Sequence, residues 1–394
     1  MRQVIDQLPG SKIREVANAG LGRSDVLPFW FGESDEPTPG FIRDAAIRSL
    51  NEGETFYAHN LGLPELREAL SRYIGTLHRP VSADRIAVTS SGVNALMLAM
   101  QALAGPGDEV VAVVPVWPNL TAQPVILGAS VERVSLAVRG GAWQLDMAAL
   151  LDAVTPNTNV LLINAPNNPT GWTLSRAEQQ AILAHCRRTG TWIVADEVYE
   201  RVYFGPGTAG APSFGDTSRL AAPSFLDIAA PDDRLVVAHS FSKSFLMTGW
   251  RLGWLVTPVA LTAAIGKLIE FNTSCAPVFV QRAGLAALAG AADFVPGLVH
   301  RLRHCRDTLL PQLAALPGVQ VAVPEGGMYA FFRVEGHDDS LEFAKRLVTE
   351  VGLGLAPGAA FGDEAEGWLR WCFASNDPAR LTQGVERLRR FLGL

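Results

Sequence analysis

Six short, almost uninterrupted apolar runs punctuate the chain between residues 85 and 256. They are RIAVT (85–89), EVVAVV (109–114), NVLLIN (159–164), WIVAD (192–196), RLVVAHS (234–240) and GWLV (253–256). They do not alternate polar with apolar, so both faces of each strand must be covered. Helical patterns over Leu63–Tyr73, Asn94–Ala104, Ser175–Thr189 and, beyond the last run, Leu261–Phe271 supply that cover. This predicts an α/β fold with a mostly parallel sheet between layers of helices.

After about residue 290 the pattern loosens. An arginine-rich helix is expected over Asp293–Leu316, then strands QVAV (320–323) and MYAFFRV (328–334), a helix over Ser340–Val351, a strand WLRWCF (368–373) and a last helix over Pro378–Leu392. That order suits a smaller α+β domain. At 394 residues the chain is too long for one core. The division expected is an N-terminal arm (1–40) packing with the small domain, a large domain (41–289) and a small domain (290–394), so that both chain ends build the smaller unit.

Several function classes drop out on composition. Net charge is −6 and no basic run occurs, so no nucleic-acid partner is expected. No apolar run approaches the ~20 residues of a membrane span. The first residues, MRQVIDQLPGSKIREV, lack the apolar stretch of a signal peptide, so a cytoplasmic location is expected. Four cysteines without a CxxC pair read as buried free thiols in a reducing compartment. His300 and His304 have metal-ligand spacing, but Arg301 and Arg303 crowd them, so a solvated helix face is expected and no metal.

Ligands of parallel α/β sheets bind beyond the carboxyl ends of the strands. Ser90-Ser91-Gly92-Val93 follows the first run, Pro115 and Trp117 the second, and NAPNNPTG (164–171) closes the third. Asp196 ends the fourth, with Tyr199 three residues on. Ser240 ends the fifth, followed by Ser242, Lys243 and Arg251. A helix opening at Ser91-Gly92-Val93 offers free N–H groups and a dipole to a phosphate. Arg251, Ser240 and Ser242 could join it, and Trp117 could stack on a ring. Each has a plainer role as well: Ser91 as an N-cap, Trp117 as core, Asp196 as a helix cap, Arg251 as an ion-pair partner.

The lysine in SFSKSFLMTGWRLGW (240–254) stands out. Of 33 basic residues only four are lysines, Lys12, Lys243, Lys267 and Lys345. Arginine keeps its proton, whereas a desolvated lysine can lose it and become a nucleophile. Lys267 and Lys345 read as surface lysines on helices.

From about residue 30 to 392 the chain resembles the pyridoxal-phosphate aminotransferases of class I/II. The motifs are GESDEPTP (32–39), YAHNLGLPELREAL (57–70), TSSGVNAL (89–96), GDEVVAVVPVW (107–117), NAPNNPTG, VADEVYE (194–200), SFSKSFLMTGWRLG, PEGGMYAFF (324–332) and LRWCFA (369–374). The resemblance implies pyridoxal 5'-phosphate as cofactor, bound by the 41–289 domain and held as a Schiff base by Lys243. It implies that Asp196 pairs with the ring nitrogen, that Tyr199 and Asn168 bond the ring oxygen, and that Trp117 stacks on the ring. Ser91, Gly92, Val93, Ser240, Ser242 and Arg251 would hold the phosphate, with Tyr57 from the second subunit of a homodimer. Arg370 would grip the substrate α-carboxylate, helped by Asn164 and the backbone at Gly32.

The implied reaction is ping-pong transfer of an amino group from an L-amino acid to a 2-oxo acid, 2-oxoglutarate by family habit. For this, Lys243 must be able to shed its proton, with partial burial and cations such as Arg251 depressing its pKa. The alternative is a carbon–sulfur β-lyase of the same fold, although MTGWRLG resembles the transaminase branch more closely. A cofactor-sensing transcriptional regulator would carry a DNA-binding domain, for which no room is expected before residue 30. Nucleotide-binding folds fail for want of GxxxxGK[ST] or GxGxxG after a strand. No second arginine can be assigned to a side-chain carboxylate, so the amino donor stays open.

Overall fold

The computed structural model describes residues 1–205 and 220–394. Seven strands form the principal sheet: β1 (Ile86–Thr89), β2 (Glu109–Val114), β3 (Ser130–Ser135), β4 (Thr158–Asn164), β5 (Trp192–Asp196), β6 (Leu235–Ser240) and β7 (Gly253–Val256). Their spatial order is β1-β7-β6-β5-β4-β2-β3. The run from β6 through β5, β4 and β2 to β3 is parallel. β7 is antiparallel to both β1 and β6, so the sheet is mixed, as a short return strand permits. Every residue of β1, β6 and β7 is buried, which accounts for their unbroken apolar sequence.

The covering helices carry their own start and stop signals. Arg176–Thr189 opens with a capping box, in which Ser175 accepts from the Glu178 amide while the Glu178 side chain reaches back. Such a cap contributes about 1 kcal/mol. The same helix stops at Gly190, whose φ of 80° suits the left-handed cap position. Pro64 occupies the first turn of Pro64–Leu77, where its missing N–H costs nothing. The expected helices appear within a few residues of their anticipated bounds, including Val259–Glu270, Ala291–Ala314 and Ala379–Phe391.

The second sheet has four antiparallel strands, β8 (Val319–Val321), β9 (Tyr329–Val334), β10 (Ala356–Pro357) and β11 (Trp368–Cys372), in the order β8-β9-β11-β10. The N-terminal segment joins this half of the molecule: Leu27–Pro28 pairs in parallel with Leu353–Gly354, and Glu15 pairs with Lys345 at 2.5 Å. Phe331 and Trp368 stack at 5.2 Å inside the same core.

A buried polar cluster sits beneath the carboxyl end of β5. His78 bridges Glu200 at 3.2 Å and Asp227 at 3.1 Å, and Arg176 bonds Asp227 from the far side. Ser224 and the Phe225 amide hold Glu197. Burial opposes a charge on His78, but its bonds to Asp227 and Glu200 outweigh that and lift its pKa to about 10. Burial lifts Glu197 to about 8. Glu197, Glu200 and His239 bring ligand-type atoms within 4.8 Å of one another, but the two carboxylates are already committed to Ser224, Phe225 and His78. His300 and His304 are exposed on Ala291–Ala314.

All four cysteines are free; Cys186, Cys305 and Cys372 are buried, whereas Cys275 is only partly so. Among the described residues no single helix is long and apolar enough to cross a membrane.

Candidate active site

Two adjacent parallel strands end at one level and a third runs two residues further. Asn164, the last residue of β4, is in register with Asp196, the last of β5, and Asp196 with Ala238 of β6. Ser240 closes β6, and the loop after it carries Ser242 and Lys243 across the strand ends. A cavity of about 520 Å³ opens there, within the range of small-ligand sites. Gly32, Gly92, Val93, Trp117, Asn164, Asn168, Asp196, Tyr199, Ser240, Ser242, Lys243, Arg251 and Arg370 all line it. Residues far apart in sequence thus meet at the one place where parallel strand ends leave a crevice.

Two of the expected residues lie elsewhere. Ser91 is not part of the lining; its hydroxyl caps the helix Gly92–Leu103 by accepting from the Asn94 amide at 3.1 Å. Its plainer role is therefore the observed one for the side chain. Tyr57, expected only from a second subunit, is 88% exposed and does not line the cavity of this chain.

At one end of the cavity the helix Gly92–Leu103 presents its first amides. β7 must pass very close to that turn: a Cβ on Gly253 would lie 2.7 Å from the Gly92 nitrogen. Glycine is required there by contact between two backbones. Arg251 adopts a left-handed φ of 57° and donates to the Thr248 carbonyl at 2.6 Å. Ser240 accepts from the Ser242 amide at 3.1 Å, which tightens the turn.

The middle of the cavity holds the two titratable groups that matter most. Asp196 is 2% exposed, and among the described residues its carboxylate accepts a single bond, from the Val198 amide at 3.3 Å. Burial, only partly offset by that amide and by Lys243, raises its pKa to about 7. Lys243 donates to the Gly32 carbonyl at 2.6 Å. Desolvation lowers its pKa to about 8; Cys372 opposes, Arg370 assists, Glu33 opposes and Arg251 assists. Of the two expected causes, burial is the larger, and among the cations Arg370 acts more strongly than Arg251.

At the far end Arg370 is 2% exposed and packs between two rings, its guanidinium carbon 4.5 Å from the centre of Tyr329 and 4.8 Å from that of Phe361. Its Nη1 donates to Asn168 Oδ1 at 2.9 Å and its Nη2 to the Trp30 carbonyl at 2.5 Å. Among the described residues Nε has no partner, an uncommon state for a buried donor. Because Asn168 spends its oxygen on Arg370, its NH₂ group is the part left to donate. Asn164 is committed to backbone at both ends, donating to the Asp196 carbonyl and accepting from the Asn168 amide, so it shapes the loop.

Several wall residues had no role assigned from sequence, although Glu33, Leu96, Val198, Thr248, Gly249 and Tyr329 lie inside the motifs. Ile13, Arg14, Phe31, Glu33, Leu96, Val198, Thr248, Gly249 and Tyr329 complete the lining. Arg14 is a further arginine at the wall, with no role assigned from sequence. It and Ile13 come from the helix Lys12–Ala19, where nothing local marks them. Across the lining, Arg14, Lys243, Arg251 and Arg370 stand against Asp196 and Glu33, a balance that favours anionic ligands.

The model of the family "Aminotransferase class I and II" matches residues 24–388. The chain belongs to the class I and II aminotransferases. An aspartate aminotransferase of Thermotoga maritima is 32% identical over 393 residues, covering 98% of either chain. The crystal structure of an aspartate aminotransferase from that organism superposes with a TM-score of 0.90 at 31% identity, covering both chains fully. An arginine–pyruvate transaminase of Pseudomonas aeruginosa is 31% identical over 348 residues, with 88% of this chain and 85% of the relative covered. Named relatives of this aminotransferase thus differ in amino donor while sharing its architecture.

Proposed function

We propose that this aminotransferase binds pyridoxal 5'-phosphate through Lys243 and moves the amino group of an L-amino acid to a 2-oxo acid, 2-oxoglutarate in the first instance, in two half-reactions. The observation that carries the reading is the meeting, in one cavity, of a lysine whose pKa is about 8, a buried carboxylate with a single hydrogen bond, and a buried arginine with an unpaired Nε. The donor set fits the group. The amides of Gly92 and Val93, Ser240, Ser242 and Arg251 suit a phosphate. Lys243 suits an aldehyde, Asp196 a protonated ring nitrogen, Tyr199 and Asn168 a ring oxygen, and Trp117 a ring face.

When bound, the cofactor supplies an electron sink for breaking a bond at the substrate Cα. Arg370 grips the α-carboxylate and so decides which Cα bond is cleaved. Lys243, neutral for a substantial fraction of molecules near pH 8, takes the Cα proton and can return it elsewhere on the reacting skeleton. Asp196 supports positive charge on the ring nitrogen. The rings of Tyr329 and Phe361 exclude water from the guanidinium and strengthen its hold on an anion.

The exposed Tyr57, with Phe56 and Phe271 at 83% and 91% exposure, supports a homodimer in which Tyr57 reaches the phosphate of the second subunit. We assign the arm (1–40) and residues 290–394 to one smaller domain and residues 41–289 to the larger, a division supported by the pairing of Leu27–Pro28 with Leu353–Gly354. Four free thiols favour a reducing, cytoplasmic setting.

A panel of amino donors against 2-oxoglutarate, followed by the cofactor's absorbance, tests the reading. Turnover dependent on added oxo acid, and lost in Lys243→Ala while cofactor still binds non-covalently, is the expected result. Pyruvate and ammonia from cysteine conjugates without an oxo acid would instead make the protein a β-lyase.

A further inference from the structure

The hydroxyls of Tyr199 and Tyr329 lie 2.6 Å apart, both buried, both on the cavity wall. A phenol has one proton and two lone pairs, so the pair has a direction. If Tyr199 gives its proton to Tyr329, it faces the cavity with lone pairs only and cannot donate to a ligand. If Tyr329 gives its proton to Tyr199, the Tyr199 proton is free to point inward. Among the described residues neither hydroxyl makes a further hydrogen bond, and the Gly32 backbone packs against the Tyr329 hydroxyl, since a Cβ there would lie 2.2 Å from its oxygen.

We propose that Tyr329 is a positioning residue whose hydroxyl donates to Tyr199, turning Tyr199 into a polarised donor toward the cofactor's ring oxygen. The inference rests on the cofactor reading above. A cation faces each ring, and the bias comes from their difference: Arg370, which keeps its charge, is nearer to the Tyr329 ring than Lys243, which can lose its charge, is to the Tyr199 ring. The Arg370 guanidinium sits on the Tyr329 ring at 4.5 Å, and a nearby cation makes a phenol the better donor. Burial raises both phenols; Arg370 is the first group to oppose it at Tyr329 and only a later one at Tyr199, which makes Tyr329 the phenol more ready to give up its proton. The other ionisable groups facing the two rings are Lys243, 5.5 Å from the Tyr199 ring centre, with Asp196, Cys372 and Glu33. Hydrogen bonds in a chain strengthen one another, so the Tyr329 donor stabilises negative charge on the ring oxygen through Tyr199. Arg370, which meets the substrate carboxylate, and Tyr199, which meets the ring, are thereby joined through one side chain.

The test is the pH midpoint of the cofactor's visible band in the holoenzyme. A donor to the ring oxygen favours its anionic form and lowers that midpoint. Tyr199→Phe should raise the midpoint by about one to two pH units, as for a bond to a charged acceptor. Tyr329→Phe should raise it by about half a unit, a fractional loss of that bond. In the double variant the Tyr329 substitution should add nothing, because its effect travels through Tyr199. Succinate, a carboxylate probe of Arg370, should bind Tyr329→Phe within about twofold of the parent, since phenylalanine keeps the ring under the guanidinium.

A midpoint unmoved in Tyr329→Phe, or moved equally with and without Tyr199, overturns the proposal while leaving the cofactor reading intact. Loss of succinate binding in Tyr329→Phe also overturns it, because Tyr329 would then act by holding Arg370. A midpoint unmoved in Tyr199→Phe removes Tyr199 from the ring oxygen and takes the proposal with it.

Discussion

The Nζ of Lys243 lies 2.6 Å from the carbonyl oxygen of Gly32, a residue 211 positions earlier in the chain. The lysine nitrogen is held by the N-terminal segment and not by its own loop. That segment is stitched down around it: Glu33 accepts from Thr248 at 3.0 Å, and Thr38 donates to the Leu246 carbonyl and accepts from Trp250. The position of the reactive amine therefore depends on residues 32–38 keeping their place.

Gly32→Ala should cost activity without touching a reacting group. The new Cβ would lie 2.2 Å from the Tyr329 hydroxyl, so the segment must shift and carry the lysine's acceptor with it. A displacement of this size lowers kcat by about 10²-fold. Steady-state kinetics beside a cofactor-binding titration check this, with binding expected to change little.

Asp196→Asn should separate stability from function. Burial destabilises the ionised carboxylate of the protein alone, so replacing it leaves the Tm of the apo-protein unchanged or slightly higher. The rate should fall by about 10²-fold or more, as when a preorganised electrostatic partner is removed. A near-normal rate would take Asp196 out of the role of ring-nitrogen partner.

Arg370→Lys keeps the charge but loses the planar fork and the stacking between Tyr329 and Phe361. The expected result is a KM for amino donors raised about 10- to 100-fold, the loss of a charge-assisted bidentate contact worth about 1.5–3 kcal/mol. An unchanged KM would place the carboxylate elsewhere, with Arg14 at the cavity wall the next group to substitute.

The cluster beneath β5 predicts how stability depends on pH. The folded pKa of His78, about 10, lies above its ordinary value of 6.5. Its contribution is thus complete below about pH 6.5 and disappears as pH rises through 10. The folded pKa of Glu197, about 8 against an ordinary 4.5, acts in the same sense, favouring the fold less as pH rises from 4.5 through 8. Asp227, lowered to about 2 from 3.8 because its bonds to His78 and Arg176 outweigh burial, contributes above pH 3.8 and weakens the fold only as pH falls through 2. Thermal melts should therefore show Tm falling from about pH 6.5 to 10, most steeply below about pH 8 where both groups act. His78→Ala should flatten that limb and cost about 3 kcal/mol at neutral pH, the penalty for leaving buried carboxylates without their partner.

The strands that build the site were legible because they are buried on both faces. β3, SVERVS, was not: it lies at the sheet edge, and most of its residues keep solvent contact, so its sequence lacks an apolar run. The antiparallel direction of β7 is not written in GWLV, because four buried residues look the same read either way. Of the site, the residues at strand ends could be found from the rule of where ligands bind. Tyr329 could not, since within MYAFFRV a cavity-facing phenol looks like one more core aromatic. Arg14 and Ile13 arrive from a helix with no motif, and only the packing of Lys12–Ala19 against the second half of the chain brings them to the wall. Ser91 misled for a physical reason: the residue that opens a phosphate-type loop is also the one whose hydroxyl caps its helix.

Borohydride reduction of the cofactor-loaded enzyme, followed by peptide mass mapping, tests the central claim most directly. The account predicts a single pyridoxyl adduct on Lys243. A label on Lys12, Lys267 or Lys345, or no covalent label at all, would contradict it.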